Sequence, residues 1–213
     1  HNFYRCHGRR PRCERGYPRT HDGRDAARAA AAAAEISAAT GATVEGMDNL
    51  ACATKGDIVA VTVPFASQVS TLQSIAGAVA GKIVLDTTVP LVPPRVARVQ
   101  LPPEGSAANR AAAILGGDAR LVTGFHSVSA QKLRAGEKVA GDVLLFSDDT
   151  EARDAIARLA DRIGLRGVHG GPLANSVAGE AMTSVLIGIN KRYGVAEGAG
   201  IVVTGISAEK ARA

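Results

Sequence analysis

Apolar residues along this chain come in short blocks, separated by stretches in which they recur at helical spacing. Residues 58–63 (IVAVTV) form a continuous apolar run, introduced by Asp57 and ended by Pro64. That is the pattern of a parallel strand buried on both faces. KIVLDTT (82–88), ARLVTGF (119–125), GDVLLFSD (141–148), LRGVHG (165–170) and IVVTGI (201–206) predict further strands. Between them, 25–39, 66–80, 106–115, 149–164 and roughly 173–192 read as helices. The first rests on alanine propensity and stops at Gly41; the fourth holds Ala152, Ala155, Ile156, Leu159, Ala160 and Ile163 at helical spacing. Strands alternating with helices predict an α/β fold with a doubly wound, mostly parallel sheet. A last helix and strand form a small C-terminal appendage.

The first 22 residues break this pattern. HNFYRCHGRRPRCERGYPRTHD has no strand run, no G-x-G-x-x-G, and two prolines where a helix would be expected. Gly198 and Gly200 begin a G-x-G, but Val203 takes the third glycine's place and a predicted strand follows. Read one nucleotide later, the codons from Gly8 to Arg10 all allow glycine, and those of the residues before them allow an apolar strand. A frameshifted stretch that returns to frame before Gly23 is therefore an expectation.

Charge changes the picture little. The net +5 is contained in the first 28 residues, where eight arginines face Glu14, Asp22 and Asp25; the remainder is balanced. A basic arm for polyphosphate would show more aromatic interleaving than Phe3, Tyr4 and Tyr17, so nucleic acid is not the expected partner. The 46% apolar content is that of a globular chain, and no apolar run approaches the roughly 20 residues of a membrane span. A cytoplasmic protein is expected. Cys6, Cys13 and Cys52 suit neither a disulfide framework nor a zinc site, and no metal is expected.

In a doubly wound sheet, ligands bind beyond the carboxyl ends of the strands. The residues there are Val63-Pro64-Phe65, Thr87-Thr88-Val89 and His126 through Ala130. They include no nucleophile–base pair and no matched carboxylates, so no catalytic acid or base is assigned. A cleft of amides, hydroxyls and one histidine suits chemistry carried by a cofactor, or a plain binding pocket.

These segments carry a resemblance. GRDAAR (23–28), DIVAVTVPF (57–65), GKIVLDTTVPLVPP (81–94), EGSAAN (104–109), GFHSVSA (124–130), SDDTEAR (147–153), GPLANS (171–176), IGINKRYG (187–194) and GAGIVVTGI (198–206) follow in order. Together they resemble the NADPH-dependent coenzyme F420 reductases. The resemblance implies a Rossmann-like dinucleotide-binding domain over 1–172 and a deazaflavin-side, dimer-forming appendage over 173–213. It implies hydride transfer between NADPH and F420 in a homodimer. It also implies that Arg24 and Arg28 hold the 2′-phosphate, that Val63, Pro64, Phe65, Thr87, Thr88 and Val89 flank the nucleotide, and that Ala130 lies near the nicotinamide. His126, Val128, Asn175 and Thr183 would bind the deazaflavin, with Ser176 and Glu180 on the same helix. Val177 and Ser184 depart from the family, which usually has Arg and Pro there. Read without the resemblance, His126 is a core histidine satisfied by backbone groups. Rival functions are an NADP-dependent reductase of another flavin, pterin or imine, and a non-catalytic nucleotide-binding protein.

Overall fold

The computed structural model describes residues 26–130, 133, 141–195 and 198–206. Arg24, the irregular first 22 residues and the missing glycine loop lie outside the described residues. The sheet contains β1 (Ile58–Val61), β2 (Ile83–Asp86), β3 (Arg120–Gly124), β4 (Asp142–Phe146) and β5 (Arg166–Gly171), in that spatial order. β1, β2 and β3 run parallel; β4 is antiparallel to β3 through Thr123↔Phe146 and Gly124↔Leu145, and β5 is parallel to β4. Among the described residues, β1 pairs on one side only.

Side chains alternate across the strands and divide the core into two layers. Val59, Val61, Val84 and Leu121 pack with Leu72, Ile75, Val79, Ala111 and Leu115 from helices α3 (Gln68–Ile75) and α4 (Ala107–Leu115) and the segment after α3. The intervening Ala60, Leu85, Val122, Val143 and Leu145 pack with Ala152, Ile156 and Ala160 of helix α5 (Thr150–Arg162). This is why the strands read as continuous apolar runs: both faces are covered. Each fully buried Val, Leu or Ile contributes about 1.5–3 kcal/mol of transfer free energy.

Helix α1 (Ala26–Thr40) ends at Gly41, whose φ of +67° only glycine adopts without strain. Asp149 caps α5 by accepting from the Ala152 amide at 2.9 Å, and its carboxylate is gripped by Arg120 at 2.6 Å. That grip, with the Ala152 amide, pulls the Asp149 carboxyl down to about 2. A short helix, α2 (Asn49–Lys55), was not anticipated. Its seven residues are too few for an apolar period; Asp48 caps its start at 2.8 Å, and Lys82 donates to the Ala53 and Thr54 carbonyls at its end, both at 2.7 Å.

Residues 201–206 were expected to form a last strand and do not. β3 and β5 already occupy both edges of β4, so no ladder is open to this segment there. It is held instead at the start of β4: the Asp142 amide donates to the Ile201 carbonyl at 2.7 Å. Arg166, paired with Asp142, donates to the carbonyls of Val203 at 2.8 Å and Ile206 at 3.1 Å. Helix α6 (Ser176–Tyr193), ended by Gly194, is the described remainder of the appendage's predicted regular structure.

Candidate functional site

Because β1, β2 and β3 are parallel, their carboxyl ends share one edge. Val63, Pro64 and Phe65 lie there beside Thr87, Thr88 and Val89, and the two rims are tied together. The Thr87 amide donates to the Val61 carbonyl at 3.0 Å, and the Thr88 hydroxyl donates to the Val63 carbonyl at 3.4 Å. Arg110 of α4 lies 3.8 Å above the Phe65 ring and donates to its carbonyl at 3.0 Å. The guanidinium thus fixes the loop after β1. Arg28 is exposed on the first turn of α1.

β3 turns sharply into His126, and Phe125 takes a left-handed φ of +62° to make the turn, a conformation that costs a non-glycine residue about 1 kcal/mol or more. The turn buries the imidazole against Phe146 of β4, with ring centroids 6.2 Å apart. Gly179 of α6 makes this packing fit, since a Cβ there would stand 2.9 Å from His126 Nδ1 and 2.7 Å from Phe146 Cε2. Burial drives the His126 pKa down to about 4, so the ring is neutral at physiological pH. Neither ring nitrogen has a hydrogen-bond partner among the described residues. The backbone-satisfied core histidine is therefore not what the fold builds. A neutral imidazole offers one donor and one acceptor.

His126 and Val128 line a cavity of about 380 Å³, closed on its far side by Thr183, Leu186, Ile187 and Asn190 of α6. The Thr183 hydroxyl donates to the His126 carbonyl at 2.8 Å, fastening the helix to the loop. Asn190 accepts from the Ala199 amide at 2.7 Å and so positions the segment that forms the mouth. Ala130 is exposed beside this loop. Asn175 does not line the cavity: it is exposed, and its amide donates to the Gly170 carbonyl at 3.1 Å. Leu186, Ile187 and Asn190 were missed in the sequence, although their spacing from Thr183 is helical and would have placed them on one face.

Beneath the rims runs a buried polar chain that the sequence did not suggest. Gln68 accepts from Arg110 at 2.8 Å and donates to the Asp86 carboxylate at 2.5 Å. Glu180 accepts from the Ala107 and Ala108 amides, at 2.7 and 3.0 Å, at the start of α4. Ser176 donates to Glu180 at 2.9 Å and meets Thr123 at 2.6 Å. Burial raises the pKa of both carboxyls, against the donors that favour their charged forms. Among the described residues no cluster of three or more metal-ligating side chains occurs, and no helix is long and apolar enough to cross a membrane.

A mostly parallel five-stranded sheet covered by helices on both faces places the chain among the Rossmann-like α/β proteins. Its fold matches a crystal structure from Arthrobacter sp. FB24, provisionally named an F420-dependent NADP-reductase, with a TM-score of 0.70 over 84% of this chain and 85% of that one, at 20% identity. The family model described as NADP oxidoreductase, coenzyme F420-dependent, matches residues 21–90. The F420-dependent NADP reductase of Methanothermobacter thermautotrophicus is 36% identical over 191 residues, 87% of this chain and 82% of that protein. The enzyme of the same name from Methanocaldococcus jannaschii is 32% identical, over 78% of this chain and 75% of its own. The chain belongs to the F420-dependent NADP reductase family.

Proposed function

We propose that this protein transfers a hydride between NADPH and coenzyme F420. The observation that carries the reading is a cavity of about 380 Å³ after β3, lined among the described residues by the buried neutral His126 and by no charged residue. Lined also by Thr183 and Asn190 and by Val128, Leu186 and Ile187, the cavity fits a planar heterocycle such as a deazaflavin ring. Bound together, NADPH supplies the hydride and the deazaflavin accepts it. The protein's part is binding, alignment and exclusion of water. In this reading Val63, Pro64, Phe65, Thr87, Thr88 and Val89 flank the nucleotide, Arg24 and Arg28 hold the 2′-phosphate, and Ala130 adjoins the nicotinamide. His126, Val128 and Thr183 contact the deazaflavin, while Asn175 supports the turn into α6. Residues 1–172 form the nucleotide unit and 173–213 the deazaflavin side.

The protein acts in the cytoplasm as a homodimer. Met182, Val185, Ile189 and Tyr193 form an exposed apolar stripe along α6, and a second copy covers it. Mixing purified protein with NADPH and F420 and following the deazaflavin absorbance tests the activity. Bleaching with F420, but not with a flavin or pterin, supports the reading. Turnover of a flavin alone selects the broader NADP reductase, and NADPH binding without turnover selects the non-catalytic protein.

A further inference from the structure

A second cavity, of about 530 Å³, adjoins the first along α6 and is lined by Arg95, Arg98 and Lys191 with no acidic residue. Ile187 lines both cavities. Thr183, Ile187 and Lys191 are successive turns of one helix face, so Lys191 stands about 12 Å along the helix from Thr183. Among the described residues, no hydrogen bond or ion pair engages the side chains of these three cations. Arg120, Arg166 and Arg110, by contrast, are engaged, with Asp149, Asp142 and Phe65 respectively. A position in the last turn of α6 gives Lys191 a stabilising neighbour in the helix dipole. Arg95 and Arg98 lie on a loop, outside any helix.

That loop is fastened. Gln100 donates to the Val92 carbonyl at 3.0 Å and to the Arg95 carbonyl at 3.3 Å, and the Arg98 amide donates to the Arg95 carbonyl at 3.0 Å. Ser184 of α6 donates to the Arg98 carbonyl at 3.4 Å. The backbone thus keeps two guanidinium groups on the same cavity as the ammonium group of α6, and like charges gathered there repel one another. An anion relieves that repulsion, and arginine forks match phosphate and carboxylate geometry.

We propose that this cavity is an anion subsite for the side chain of the coenzyme bound next door, taking its phosphodiester and glutamyl carboxylates. The inference rests on the reductase reading above and adds a recognition element to it. The ring then sits against His126 and Thr183, while the charged tail runs one to two turns along α6 onto Arg95, Arg98 and Lys191.

The test compares kcat/KM for intact F420 with that for the ring-only deazaflavin, which lacks the phosphate and the glutamyl groups. Both are measured for the wild type and for the combined Arg95→Ala, Arg98→Ala, Lys191→Ala variant. All three side chains are exposed, so the variant folds, and a melting curve confirms it. At the modest strength of exposed ion pairs, the preference for the tailed coenzyme falls about tenfold in the variant. Added salt lowers the preference in the wild type and leaves it unchanged in the variant. A preference identical in both proteins, with both coenzymes turned over, overturns the subsite and leaves the reductase reading standing. Reduction of neither coenzyme by the wild type overturns the reductase reading and the subsite with it.

Discussion

Burying His126 without partners has a cost that depends on pH. The free imidazole titrates at 6.5, and burial lowers this to about 4 in the folded protein. The unfolded chain therefore binds a proton that the folded one refuses as pH falls through this interval. Stability is full above 6.5 and is lost progressively as pH drops to about 4, below which the loss is complete. Across some 2.5 pH units, at about 1.4 kcal/mol per unit, the loss is on the order of 3 kcal/mol. That is a large share of the roughly 5–15 kcal/mol by which a domain is stable. His126→Leu removes the titrating group while filling much the same space against Phe146 and Gly179. Urea unfolding at a series of pH values should show the wild type losing this stability across the window and the variant losing far less. The same variant should raise the KM for F420, because it reshapes the wall of the cavity that His126 lines. Two results would refute the reasoning: an NMR titration placing the imidazole near its ordinary value, or a variant whose stability follows pH as the wild type's does.

Four further outcomes are expected. Glu180→Ala orphans the Ala107 and Ala108 amides and leaves the Ser176 hydroxyl with Thr123 alone, and should cost about 3–5 kcal/mol in chemical unfolding; a loss under about 1 kcal/mol would mean that water replaces the carboxylate. Gly179→Ala drives a methyl into His126 and Phe146, so F420 kinetics and the melting temperature should worsen together, whereas wild-type values for both would show that the aromatic pair yields freely. Arg24→Ala should weaken NADPH binding by about 1.5–3 kcal/mol while sparing NADH, as calorimetry can measure, and equal losses would remove the 2′-phosphate role. Asp149, held down near 2 by Arg120, contributes stability present above 3.8 and lost as pH falls toward 2; Asp149→Asn should flatten that part of the acid-unfolding curve.

Sequence alone determined most of the elements and the edge that the parallel strands share. Apolar runs such as IVAVTV mark strands covered on both faces, and parallel strands put Val63, Thr87 and His126 on one rim by geometry alone. Motifs spread along most of the chain carried the family, which the relatives' identity over most of its length bears out. Other features depended on contacts between residues far apart in the chain, which no local pattern encodes. The Glu180 carboxylate meets amides 73 and 72 residues away. Residues 201–206 have the composition of a strand, but tertiary structure had already filled both sides of β4. The lack of partners for the His126 nitrogens among the described residues is also a tertiary fact. A histidine after a strand reads the same whether or not its nitrogens are satisfied, and only the packing of Phe146 and Gly179 around it leaves them without a partner.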